Sequence, residues 1–150
     1  MSGGMETWIM LGILAALSFG ISAAAAKMAT SPSHYGMSLA TASVLMLIGI
    51  ALVVGAYAVF QGGLKMPSDP AVLGVGISIG LFWALGEVLV FLALTGNADI
   101  SKLAPIYNMN TLVTVLLGIV LLHELPSQPQ LVRVVIGAVL IVIGGILVSV

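Results

Sequence analysis

Cysteine is absent from the chain, which removes disulfides, thiol nucleophiles and thiolate metal sites in one step. Charge is nearly absent as well. Four Lys and Arg against five Asp and Glu leave a net charge of −1, and charged residues make up only 6% of the chain. Soluble domains carry about 25% charged residues, so a water-facing shell cannot be assembled from this composition. No basic patch is available for nucleic acid. The two histidines both fall in expected loops, so no metal cluster is expected. No apolar run carries the Ser/His or paired-Asp arrangement that hydrolysis requires. An enzyme is therefore not expected, and no cofactor is implied.

What is present is apolar length. Hydrophobic residues make up 61% of the chain and the mean hydropathy is +1.27, which defines an all-α integral membrane protein. Five runs stand out, at residues 8–26, 37–60, 71–94, 103–122 and 131–150, forming a single five-helix membrane domain over 1–150. Residues 71–94 extend about 36 Å as a helix at roughly 1.5 Å per residue, enough to cross a hydrocarbon core of about 30 Å. Glu6 stands where a signal peptide has a basic segment, so the first run is expected to remain a helix, with Ala15, Ser18, Ser22 and Ala26 as a small-residue stripe for helix contact. Pro32, Gly62, Gly63, Pro67, Pro126 and Pro129 punctuate the connections, whereas Pro105 is placed in the first turn of the fourth run, where proline is tolerated. Gly137, Gly144 and Gly145 suit the last run to close packing.

Glu87 is the one acidic or basic side chain lying within the third run. An ionised carboxylate near the centre of a membrane helix costs on the order of 2.5–3.5 kcal/mol, so it is expected to face protein or water and to serve function. Helical spacing puts Gly76, Gly80, Trp83 and Glu87 on one face, with two glycines to admit a neighbour and an indole beside the acid. Glu87 is the candidate for proton coupling and, with the cation–π surface of Trp83, for binding a cationic or zwitterionic solute. The bland reading is an ion pair with a snorkelling Lys27 or Lys102. On the fourth run Tyr107, Asn110, Thr111, Thr114 and Gly118 fall within a stripe roughly 100° wide. Lipid cannot satisfy such groups, so they line a cavity or hydrogen-bond between packed helices, at about 0.6 kcal/mol per contact.

These residues carry a family resemblance. Ser101, Ala104 and Pro105 open a span, Gly118 lies within it, Leu122 and Glu124 close it, and Gly137, Ile141 and Gly144 mark the next; Ser18, Phe19 and Gly20 precede Lys27 in the first. In this the chain resembles the drug/metabolite transporter superfamily of the EamA type, as a single five-helix repeat where most members have two. The resemblance implies a secondary transporter of small metabolites in the cell membrane, with helices three and four lining the path, so that Glu87, Trp83, Tyr107, Asn110, Thr111 and Thr114 are the candidate substrate-binding residues. The arginine often found in the family's second helix and a second proline often found in its fourth are missing here.

Transporters of this kind place substrate between two inverted repeats, so a second copy of the chain is expected to supply the other half as a homodimer. The basic residues do not set an orientation: Lys65 and Arg133 fall on the N-terminal side of the membrane, Lys27 and Lys102 on the other. An antiparallel pair with dual topology is therefore open. Two other readings stand beside the transporter. One is a non-transporting subunit of a hetero-oligomer, and the other is a lipid-linked sugar translocator subunit.

Overall fold

A computed structural model describes residues 3–124 and 127–149, with side chains described at 7–124, 127 and 130–148. Leu125, Pro126 and Val150 lie outside the described residues, and with Pro126 the turn role expected of it. Six helices follow in order: α1 Gly3–Thr30, α2 Leu39–Phe60, α3 Pro70–Thr95, α4 Ile100–Tyr107, α5 Asn110–Val120 and α6 Gln128–Ser149. No strand occurs among the described residues. They make five spans long and apolar enough to cross a membrane, the fourth being α4 and α5 together, over Ile100–Val120.

The helix ends follow from local chemistry. Ser38 caps α2 by accepting the Thr41 N–H at 3.2 Å, and Asp69 caps α3 by accepting the Ala71 N–H at 2.9 Å. Each satisfies one of the amides left without a helical carbonyl at an N-terminus. Pro70 sits at the first position of α3, where its missing N–H costs nothing. Gly62 and Gly63, at φ +86° and +101°, end the α2 segment in the left-handed region that side-chain-bearing residues avoid.

The fourth run is not one helix over 103–122. Helix α4 begins at Ile100, so Pro105 is its sixth residue and lies inside it rather than in a first turn. There the ring crowds the Ser101 carbonyl and supplies no N–H to it. The ladder then tightens. Met109 bonds to Ile106 (3.1 Å), Thr111 to Asn108 (3.2 Å) and Leu112 to Met109 (2.9 Å), all three residues back, and the chain turns at Asn108–Met109 before α5 resumes.

The helices divide into two compact units, α1 to α3 and α4 to α6. In the first, α1, α2 and α3 pack against one another, and the buried residues gather at one end: Thr30 and Ser31 after α1, Ala42 near the start of α2, Phe91 and Leu94 near the end of α3. Away from that knot the packing is loose, and Gly76 and Gly80 have no neighbouring atom within 4 Å of where a Cβ would stand. The stripe Ala15, Ser18, Ser22 and Ala26 is not the contact face of α1; only Ala26 is withdrawn from solvent, together with Ala23, Lys27, Ala29 and Thr30, and the Ser18 hydroxyl bonds its own helix at Leu14. The lower half of the helix carries the contact because that is where the three helices converge.

In the second unit α4 packs on α6. Gly145 is buried there, and a Cβ on it would lie 3.4 Å from both the Met109 Sδ and the Pro105 carbonyl oxygen. Met109 bonds to Ile106 rather than to Pro105, so that carbonyl is turned toward the glycine. Gly137 and Gly144 have open space within the chain, so of the three glycines expected to pack closely Gly145 is the one that does.

Candidate functional site

Trp83 and Glu87 belong to the first unit, and Tyr107, Asn110, Thr111 and Thr114 to the second. On α3 the stripe through Gly76, Gly80, Trp83 and Glu87 continues at helical spacing into Phe91 and Leu94. Burial grades along it: Leu94 is fully buried, Phe91 is 3% exposed, Glu87 is half-buried and Trp83 is 41% exposed. Glu87 therefore stands one turn above the knot that closes the unit, on its inward side. No hydrogen bond or ion pair is described for it within this unit. A half-buried carboxylate without a protein partner, next to an exposed indole face, can accept hydroxyl, amine or proton from a solute.

The candidate residues of the second unit straddle the break. Tyr107 ends α4 and is half-buried; Asn110, Thr111 and Thr114 open α5 and are exposed. The Thr114 hydroxyl donates to the Asn110 carbonyl at 3.1 Å, which satisfies its proton within the helix and leaves its oxygen free to accept. The tightened turn alters the phase between Tyr107 and the three α5 residues, so the stripe drawn at 100° per residue holds within α5 but not across Asn108–Met109. Discontinuous spans with polar residues at the break are a common way for transporters to present binding groups at membrane depth. In the same unit the Glu124 amide bonds to the Gly118 carbonyl at 3.0 Å, and its Oε2 lies 3.3 Å from where a Gly118 Cβ would be, folding the chain back over the end of α5. That agrees with a structural role.

Ser43 was not singled out by patterning, because a lone serine in an apolar run is unremarkable. Its Oγ is closed off from solvent and, among the described residues, is the one buried side-chain oxygen or nitrogen without a hydrogen-bond partner. Among the described residues no group of three or more His, Cys, Asp or Glu could hold a metal.

Five apolar spans, one of them broken at a polar turn, with a carboxylate within the third, define a multi-pass membrane protein. The chain belongs to the EamA-like transporter family, whose model matches residues 6–150. It is similar to a probable glucose uptake protein, GlcU, of Bacillus cereus, at 38% identity over 89 residues, 57% of this chain and 30% of that protein. A putative sugar uptake protein of Listeria innocua, lin0215, is 37% identical over 73 residues, 47% of this chain and 24% of that protein. The chain thus spans less than a third of the length of these uptake proteins. An uncharacterized protein of Methanocaldococcus jannaschii, MJ1333.1, is 30% identical over 147 residues, 97% of this chain and 98% of that protein. No solved structure matches.

Proposed function

We propose that the chain is one repeat of a secondary transporter for small polar solutes, with sugars as the substrate class, working as a homodimer and coupled to protons at Glu87. The observation that carries this reading is the half-buried Glu87, with no hydrogen-bond or ion-pair partner among the described residues, one turn from Trp83 on a membrane span. A sugar asks for both groups: an aromatic face for its C–H surface and an acceptor for its hydroxyls. Similarity to proteins named for glucose and sugar uptake points the same way. In the second unit Asn110, Thr111, Thr114 and Tyr107 offer further donors and acceptors for a polar solute. A cationic or zwitterionic solute is the second reading, favoured by the same carboxylate and the cation–π surface beside it.

The dimer rests on repeat logic: a site between inverted repeats needs two of them. With Lys65 and Arg133 opposed by Lys27 and Lys102 across five spans, antiparallel insertion is permitted.

Reconstitution tests the reading. Wild-type protein in liposomes should accumulate labelled D-glucose against its gradient when a proton gradient is imposed. Glu87→Gln keeps shape and hydrogen bonding and removes ionisation, so it should retain glucose counterflow and lose proton-driven accumulation. Accumulation by the Gln variant equal to wild type removes the coupling role. Absence of any glucose flux, with choline or another small cation transported instead, transfers the site to the second reading.

A further inference from the structure

Apolar exposure is expected within a membrane span and needs a reason outside one. Residues 61–69 join the spans Leu39–Phe60 and Pro70–Thr95, so they lie at the membrane surface, and they hold two large apolar side chains in the open: Leu64 is 78% exposed and Met66 75%. Lys65 stands between them and is exposed as well. The level of this connection is set by the end of α2, where Tyr57 and Phe60 are exposed and the Gln61 side-chain amide donates to the Tyr57 hydroxyl at 2.7 Å. Aromatic rings with one polar edge settle at the boundary between hydrocarbon and water. Gly62 and Gly63 then take the chain off the helix at positive φ, their amides bonding back to the Val59 and Ala58 carbonyls at 3.0 and 2.9 Å. The connection thus starts at that boundary.

Its backbone and side chains make opposite demands. Among the described residues no backbone hydrogen bond is made by residues 64–68, so their amides and carbonyls need water or headgroups and cannot sit in hydrocarbon. Leu64 and Met66 are driven the other way. Both demands are met at the interface, with the backbone among the headgroups and the two side chains at the edge of the acyl region. Met66 precedes Pro67, which favours extended backbone, and an extended chain alternates sides, so the lysine can reach outward while its neighbours turn to lipid. Asp69, the nearest acid along the chain, is engaged at the start of α3, where it accepts the Ala71 N–H at 2.9 Å, and no ion pair joins it to Lys65 among the described residues. That leaves a cation for an anionic partner at headgroup depth.

We propose that residues 64–66 are a lipid-docking site, in which Leu64 and Met66 enter the acyl boundary and the Lys65 ammonium pairs with the phosphate of an anionic phospholipid. The occupant is the bilayer itself, and the docking holds whichever solute the chain carries.

The chain has no cysteine, so Leu64→Cys carries a single nitroxide label. In vesicles its collisions with oxygen, which concentrates in lipid, are compared with those of a neutral nickel chelate confined to water. Ser68→Cys, exposed in the same connection, is the reference. The oxygen-to-nickel ratio should be higher at position 64 than at position 68. It should rise again from vesicles of phosphatidylcholine to vesicles with about a third phosphatidylglycerol, since one lysine near an anionic surface shifts docking roughly 5-fold. Lys65→Gln should cancel that rise and Lys65→Arg should keep it, with melting temperatures unchanged because an exposed connection contributes little to stability. The response to phosphatidylglycerol is read with Lys65 in place, so misfolding of either variant leaves the test standing. Equal ratios at the two positions put the connection in water and overturn the docking. A label at position 64 shielded from oxygen and chelate alike is covered by protein, which overturns it too. A lipid-exposed label that ignores both phosphatidylglycerol and Lys65→Gln overturns the headgroup contact.

Discussion

Replacing Gly145 by valine tests the packing at the broken span with its own internal control. A Cβ at Gly145 would sit 3.4 Å from the Met109 Sδ and from the Pro105 carbonyl oxygen, which is ordinary contact, so alanine is accommodated. Valine places two further carbons about 1.5 Å beyond Cβ, and in a helix its side chain has one strongly preferred rotamer. One of those carbons has to push Met109 or move α6 away from α4. Overpacking of this kind costs typically 1–3 kcal/mol. Gly144 has nothing within 4 Å of its would-be Cβ, so valine there meets open space. Both substitutions gain the same backbone term from losing a helical glycine, about 0.5–1 kcal/mol, and it cancels in the comparison. The difference between Gly145→Val and Gly144→Val is thus the overpacking itself. At roughly 2–4 °C per kcal/mol for a chain of this size, Gly145→Val should melt about 2–12 °C below Gly144→Val in the same detergent. Gly145→Ala and Gly144→Ala should melt together. Equal melting temperatures for the two valine variants would refute the close approach of α6 to the turn at Asn108–Met109.

Removing the caps of α2 and α3, by Ser38→Ala and Asp69→Ala, should each cost about 1 kcal/mol and lower the melting temperature by a few degrees, measured by thermal unfolding. Pro105→Ala returns an N–H to the Ser101 carbonyl and removes the ring that crowds it, so amide exchange over residues 106–112 should slow and stability should rise. Gly118→Ala brings a Cβ to 3.3 Å from the Glu124 Oε2, but that side chain is exposed and swings aside, so the change should stay within about 0.5 kcal/mol by thermal unfolding. Alanine at Asn110 or Thr111, both exposed, should weaken glucose binding more than it lowers the melting temperature, since groups facing water have little desolvation to lose.

The spans were legible because length and hydropathy depend on each residue singly: Ser38 and Asp69 stand a residue or two from the ends expected for the second and third runs, and their caps explain the ends observed. The break in the fourth span was not, although Pro105 was in view. Its effect depends on where α4 starts, and α4 starts three residues earlier than hydropathy suggested, because Ile100 and Ser101 follow Asp99 directly into the helix. That shift moves proline from a harmless first turn to the interior. Of the stripe expected on α3, Glu87 lies at helical spacing from buried Phe91 and Leu94, whereas Gly76, Gly80 and Trp83 are exposed within the chain. Periodicity misjudged α1, where small residues alone marked the contact face and the true contact comes from convergence at one end.

Most of the apolar surface of this chain is uncovered by the chain itself: the central windows of its spans are between 0% and 11% buried. In water that would mark an unfolded or aggregating protein, but between lipid tails Leu and Val pay nothing for exposure, and helix association is left to packing, small residues and polar pairs. The knot of Phe91, Leu94 and Ala42 and the seat of Pro105 on Gly145 are such packing points, one in each unit. Polar groups obey the opposite rule, since lipid offers them nothing. Glu87, half-buried and with no hydrogen-bond or ion-pair partner among the described residues, is therefore a costly feature of the first unit. If it meets a solute as proposed, ligand binding should raise the melting temperature of this protein, and raise it less in Glu87→Ala.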